Sequence, residues 1–467
     1  MGARFASAHP PGRTAPLALR RYAVPIEAMA ALLGAAVAGL LLMAPLDLGW
    51  TSEGPVLQLD LLVLNVPRAA ASGAAFAVVS AALVVALGRK TAWIASCGSA
   101  VVLVIDQLWN RDAATAGNLT TANYIDSIFS GILLGALAVA VFGKPVATGA
   151  YLIGALSAIL IGDQTSLPPA GGRGNPLIQW ASAGTPPVWL LVLAGVLLVA
   201  GIAVQQPEPA GEHENTDLAI GPILSALILV IATTLSTEWF VRHAGTVVQM
   251  GVAAAITIGA ALIAALLLPG REGTLVLLAV AVANAGSAII AVPRPDWTAP
   301  FPVLAVVAGL AAGRRWRAPW IALAATAGLA VFAAGTADIA HEYAVVPVLG
   351  VILTALAIGF CFGAAVPKTA GSAVVALAVL VVPCLVVALR GSNFGRVAYS
   401  PRWYRDPHGA VSTVPGTVAL VITLGCAAGL YLLLRIRSPQ AASASEPDLP
   451  PRVIAVPDGA RNVLPQG

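Results

Sequence analysis

Two aspartates, Asp106 in Val-Ile-Asp-Gln-Leu-Trp and Asp126 in Tyr-Ile-Asp-Ser, stand in otherwise apolar stretches of the chain. An ionisable side chain in a membrane-spanning helix costs about 2.5–3.5 kcal/mol near the helix centre, so each is a functional candidate by default. Carboxyls so placed take up a proton or hold a cation, the chemistry of transport coupling. The plainer alternative is an interfacial role, hydrated or paired with Arg111 and nearby amides. Asn284 is a third candidate for solute or ion contact, with Ser287, Thr233, Thr234, Ser236 and Gln249 as further neutral polar groups in apolar runs. For these the plainer account is hydrogen bonding between helices, at about 0.6 kcal/mol each.

Basic residues form two other sets. Gly88-Arg89-Lys90 and Gly313-Arg314-Arg315 each close an apolar run and lead into Trp-Ile-Ala. They are conformational-turn candidates. Arg390, Arg396, Arg402 and Arg405 are interleaved with Tyr399, Trp403 and Tyr404, a composition suited to anionic headgroups or a phosphorylated envelope precursor, or to an amphipathic interfacial loop. No phosphate-binding loop, zinc-protease or nucleophile-elbow motif occurs. His9, His213, His243, His341 and His408 lie apart, and Cys97, Cys361, Cys384 and Cys426 sit in apolar runs without Cys-x-x-Cys spacing. The sequence thus predicts no metal and no cofactor. Its expected partners are the lipid bilayer and a small amphipathic or lipid-like solute. Nucleic acid is not among them, since the basic residues sit in short turns that set topology; the oligomeric state is not legible.

The elements that must position these residues are membrane helices. Of 467 residues 58% are hydrophobic and 10% charged, with mean hydropathy +0.88, against about a quarter charged in a soluble domain. At about 20 apolar residues per crossing the chain predicts fourteen spans. They fall at 23–46, 69–87, 92–109, 123–143, 145–163, 186–204, 218–238, 247–268, 274–293, 298–313, 319–338, 345–366, 371–389 and 413–434. Residues 55–66 read as a short interfacial segment in the first loop. The first run is long enough to span and shows no cleavage site, so no signal peptide is expected. Basic residues concentrate in alternate turns, including all three lysines, Lys90, Lys144 and Lys368. Both termini are therefore expected on the cytoplasmic side. Arginine outnumbers lysine 22 to 3, an association with GC-rich bacterial genomes that suggests a bacterial inner membrane.

The chain reads as two halves. Gly131-Ile-Leu-Leu-Gly-Ala-Leu-Ala-Val matches Gly350-Val-Ile-Leu-Thr-Ala-Leu-Ala-Ile at an offset of 219 residues, and Gly88 matches Gly313 at 225. Trp93 matches Trp320 at 227, and Thr185-Pro186 matches Val414-Pro415 at 229. Matches kept in chain order predict a duplication, and an even number of spans per half makes the repeat parallel. The expected domains are a tail at 1–22, a six-helix bundle at 23–204 and an acidic linker at 205–217. An inserted pair at 218–268, a second six-helix bundle at 274–434 and a disordered tail at 435–467 complete the expected order.

In this layout the chain resembles the fourteen-span, drug/proton antiporter-like branch of the major facilitator superfamily. Gly88, Arg89 and Lys90 match the end of that family's signature between spans two and three, and Gly313, Arg314 and Arg315 occupy the place of its second copy. The signature's aspartate is absent from 80–87, and the arginine that the family's antiporters carry in span four is absent from 123–143. The resemblance implies an all-α membrane protein whose bundles face a central cavity. It would move a solute by alternating access, with proton-coupled export as one mode. The alternative is an envelope-assembly enzyme or accessory protein, such as a glycosyltransferase acting on lipid-linked sugars, with Asp47, Glu53 and Asp60 in the first outer loop. A non-transporting scaffold is the third reading.

Overall fold

The structure is a computed structural model that describes residues 22–43, 56–109, 116–164, 186, 188–205, 220–243, 246–289, 300–340, 343, 345–390 and 412–437. Among these, every regular element is helical. The first six helices are α1 (Ala23–Met43), α2 (Val56–Leu87), α3 (Arg89–Trp109), α4 (Ala116–Val141), α5 (Pro145–Gln164) and α6 (Val188–Val204). Next come α7 (Ile220–His243) and α8 (Val247–Leu267). The remainder are α9 (Gly273–Ser287), α10 (Pro300–Trp316), α11 (Pro319–Gly335), α12 (Val345–Ala364), α13 (Ala370–Val381), α14 (Leu385–Arg390) and α15 (Val414–Ile436). Ten stretches are long and apolar enough to cross a bilayer, among them Ala370–Leu389, which α13 and α14 share; α6, α9 and α11 are shorter apolar helices. Leu83, Ile94, Val101, Ile105, Val196, Ile231, Val252, Leu304, Val331 and Leu424 are exposed on outward faces, as lipid contact requires.

Two expectations need correction. Residues 56–66 are not a separate interfacial segment: they continue α2, whose membrane-capable stretch begins at Pro67. The thirteenth span is not one helix, because Pro383 divides it into α13 and α14.

Six pairings build the first unit: α1 with α4, α5 and α6, α2 with α4, and α3 with α4 and α6. The second unit repeats all six, as α9 with α12, α13 and α15, α10 with α12, and α11 with α12 and α15. The pair α7–α8 packs against α9, α13 and α15. The architecture is thus two six-helix bundles related by a parallel repeat, plus an inserted helix pair.

Glycines set how closely these helices approach. A Cβ on Gly131 would lie 2.0 Å from the Gly73 carbonyl, and one on Gly135 would lie 1.9 Å from that of Ala77, so α4 and α2 touch backbone to backbone. Gly359 and Gly363 do the same for α12 on α10, at 2.3 Å from the Val306 carbonyl and 2.5 Å from that of Leu310. Gly154 brings α5 onto α1 at the Leu32 carbonyl. In lipid, where apolar surface gives helices no reason to associate, such contacts supply the packing.

The ends carrying Arg89, Lys144, Arg314 and Lys368 lie together, and here charge secures helix termini. Arg89 Nε donates to the Ala140 carbonyl at 2.7 Å, at the C-terminus of α4. Arg437 donates to the carbonyls of Leu266 (2.8 Å), Leu268 (2.7 Å) and Gly270 at the C-terminus of α8. Cations stabilise this negative end of a helix. Glu272 takes the opposite role, accepting from Thr369 N at 3.1 Å, Thr369 Oγ1 at 2.7 Å and Ser372 Oγ at the N-terminus of α13. Glu27, whose nearest basic residues in the chain are Arg20 and Arg21, is buried against the remote Lys144 at 2.5 Å.

Gly131→Val and Gly363→Val should each lower stability by about 1–3 kcal/mol through overpacking, measured by thermal unfolding in detergent. Gly98→Ala, with no neighbouring atom within 4 Å, should change little. Lys144→Ala should lower the melting temperature by stranding buried Glu27, and adding Glu27→Gln should restore most of the loss.

Candidate functional site

Asp106 and Asp126 come from the facing helices α3 and α4. Asp106 lies three residues before the end of α3 and Asp126 five residues into the membrane-capable stretch of α4, which starts at Thr121. At 1.5 Å per residue both sit about 22–26 Å from the basic end of the bundle. Their carboxyls meet. Asp126 is buried at 4% exposure, Asp106 at 9%. Gln107 Nε2 donates to Asp126 Oδ2 at 3.2 Å. Two carboxyls in contact repel unless a proton or cation lies between them. The arrangement is therefore a place to hold one.

Around the pair, α4 turns several polar atoms into the interior without a hydrogen-bond partner among the described residues. They are Asp126 Oδ1, both amide atoms of Asn123, and the hydroxyls of Ser127 and Ser130. Asn123, Ser127 and Ser130 are all buried. Burying such groups unpaired is costly, which marks this end of α4 as a polar site inside the first unit. The sequence pointed to Asp106 and Asp126. It gave no notice of Asn123, Ser127 and Ser130, although their spacing of four and three residues puts them on one helix face.

Asn284, three residues before the end of α9, is 2% exposed and lies in the second unit, far along the chain from the aspartates. It shares a small cavity with Thr233 of α7 and Thr257 of α8. Three members of this group donate within their own helices. Thr233 donates to the Leu229 carbonyl in its own helix, Ser236 to that of Thr233, and Asn284 Nδ2 to that of Val280. Gln249 is not mid-span: with Thr246 it forms a capping box at the start of α8.

The two basic motifs are not equivalent in structure. Gly88 is the break between α2 and α3, with φ +91, a left-handed conformation that glycine adopts without strain. Gly313, Arg314 and Arg315 instead form the last turns of α10, with Gly313 helical and buried against the Phe360 carbonyl. The left-handed residue after α10 is Arg317, at φ 46. Trp93 and Trp320 differ likewise, one buried against Gly201 and the other 45% exposed. Lys90 and Arg315 are exposed. Arg314 crosses between the units, its guanidinium lying over Gly149 near the start of α5.

That contact belongs to a wider relation. α2 of the first unit meets α13 of the second, while α10, the repeat counterpart of α2, meets α5, the counterpart of α13. α13 also packs on α4. At the other end Arg68 Nε meets Glu238 Oε1 at 2.8 Å, joining α2 to α7. The small cavity at Asn284 is lined by residues of α7, α8, α9 and α13 and of the break after α13.

Arg390 is the last residue of α14, and Arg396, Arg402 and Arg405 lie outside the described residues, as do Asp47, Glu53 and the 206–217 part of the linker. Asp60 falls in the early part of α2. No protein-family model and no curated protein matches the chain. Among solved structures it is similar to the partially occluded inward-open conformation of the xylose transporter XylE from E. coli, with a TM-score of 0.47 and 12% sequence identity. That similarity covers 89% of this chain and 99% of the transporter's. A likeness of this size transfers no activity, and the functional reading rests on the geometry of this chain.

Proposed function

We propose that the protein is a secondary transporter working by alternating access, with Asp106 and Asp126 as its proton site. The observation that carries this reading is the exchange relation between the units, α2 on α13 matched by α10 on α5. Two bodies of the same internal pairing, joined along equivalent seams, can rock so that one end opens as the other closes. Closure at the basic end rests on Arg314 over Gly149, a contact without a hydrogen bond and therefore easily parted. The solute is amphipathic or lipid-like, because the seam helices α2, α5, α10 and α13 are dominated by Ala, Gly, Val and Leu and offer few hydrogen-bonding groups. Export coupled to proton entry suits a carboxyl pair near the end away from the basic residues. The basic end is cytoplasmic by the distribution of Lys and Arg.

In a Cys97→Ser background, a cysteine replacing Gly149 should react slowly with a membrane-impermeant maleimide applied at the basic end, and at least several-fold faster once Arg314→Ala is added. Equal rates would remove Arg314 from the closure. In proteoliposomes carrying a fluorescent amphipathic dye, Asp126→Asn should leave the protein folded, its amide still able to donate to Asp106, yet abolish dye movement driven by a pH gradient. Unchanged pH-driven movement in that variant would exclude the pair as the proton site.

A further inference from the structure

The six pairings shared by the two units leave α7 and α8 without counterparts, so the inserted pair is no part of the repeat itself. Its attachments are nonetheless specific. α8 packs on α7, α9 and α15, and Ser225 Oγ of α7 donates to the Ala264 carbonyl of α8 at 3.0 Å. α7 follows α13. Near the start of both helices Pro222 lies against Gly371, where an added Cβ would meet the proline ring at 3.1 Å. Beyond the end of α13, Thr237 Oγ1 reaches the Pro383 carbonyl at 3.5 Å, and α7 packs on α14 as well. The pair is thus fastened to the second unit from one end of α13 to the other.

In the first unit α7 packs on α2. At the end opposite the basic residues, Arg68 Nε donates to Glu238 Oε1 at 2.8 Å and Arg68 Nη2 to Glu238 Oε2 at 3.3 Å. Arg68 is the second residue of the membrane-capable stretch of α2, and Glu238 the third from the end of that of α7. The ion pair therefore stands at the membrane margin, with its side chains 45% and 17% exposed. Thr237 and Glu238 are neighbours in sequence, and a helical turn of about 100° per residue separates their directions. Thr237, fully buried, touches the second unit, and Glu238 touches the first.

We propose that the inserted pair is a gate over the α2–α13 seam, carried by the second unit and latched to α2 by Arg68 and Glu238. This rests on the reading that the two units rock. A two-pronged guanidinium–carboxylate contact is directional, so it holds α7 on α2 in one position. Being open to water, the same contact parts at small cost, because both charges are rehydrated as it opens. The buried attachments to α8, α13 and α14 have no such exchange, so the pair follows the second unit. The latch and the Arg314 contact stand at opposite ends of the protein, and release of each frees its own end.

The test uses the full-length Cys97→Ser protein in lipid nanodiscs, with a cysteine replacing Ala71, which is buried three residues along α2 from Arg68. Its reaction with a hydrophilic maleimide should be slow, and at least several-fold faster when Glu238→Gln is added. Arg68→Glu should accelerate it likewise. Arg68→Glu combined with Glu238→Arg should return it to the slow rate, a rescue that a loosened fold would not give. Equal rates with and without Glu238→Gln, the result for a pair that is only a lipid-facing appendage, would overturn the gate. So would failure of the exchanged pair to restore the slow rate. The rocking reading is tested separately, by labelling of Gly149→Cys with and without Arg314→Ala. A response there, with none at Ala71→Cys, rejects the gate alone.

Discussion

Lipid is as apolar as leucine, so two helices in a bilayer gain nothing by hiding hydrophobic surface from it. What holds this protein together is backbone approach through small residues, and the rest of the structure depends on it. Gly131 and Gly135 place α4 against carbonyls of α2, and Gly359 and Gly363 place α12 against those of α10. With α4 held on α2, its other faces meet α1 and α3, and the six pairings of a unit follow. Arg314 over Gly149, between the units, and Arg68 with Glu238, between α2 and α7, are contacts made by long side chains, which part at lower cost than interlocked backbones.

The same solvent makes unsatisfied polar atoms conspicuous. Most hydroxyls return their proton to a carbonyl of their own helix, as Thr326 does to Ala322 and Thr423 to Ala419. Others join helices, as Tyr151 does by donating to Leu134 O at 2.9 Å, and Ser225 to Ala264 O at 3.0 Å. Against that background the carboxyl contact of Asp106 and Asp126 and the bare Oδ1 of Asn284 stand out. One lies in each unit.

The spans were legible because apolar length is nearly a direct statement of membrane crossing, and so was the parallel repeat. Its register was not. Gly131 was matched to Gly350 at 219 residues, yet Gly350 packs on the Ile289 side chain, and the glycines that approach a carbonyl as Gly131 does are Gly359 and Gly363. Gly359 lies 228 residues after Gly131. A helix of Ala, Leu, Val and Gly matches itself at many shifts, whereas only one shift brings the small residues onto the partner's backbone. Gly313 misled for a related reason: a Gly-Arg-Arg string fits a helix end as well as a turn, and the neighbouring helix decides. The partner of Glu27 was hidden because Lys144 is remote in sequence. The break at Pro383 was visible as a proline in a span.

The central claim is that two units of equal build rock about the α2–α13 and α5–α10 seams. Pulsed electron resonance between spin labels tests it most directly, in the Cys97→Ser background. One pair of labels replaces Lys90 and Lys368 at the basic end, and another replaces Trp109 and Ile339 at the opposite end. The account predicts that Arg314→Ala moves population toward a longer basic-end distance while the opposite-end distance shortens. Distances unchanged at both ends, or moving in the same direction, would contradict it.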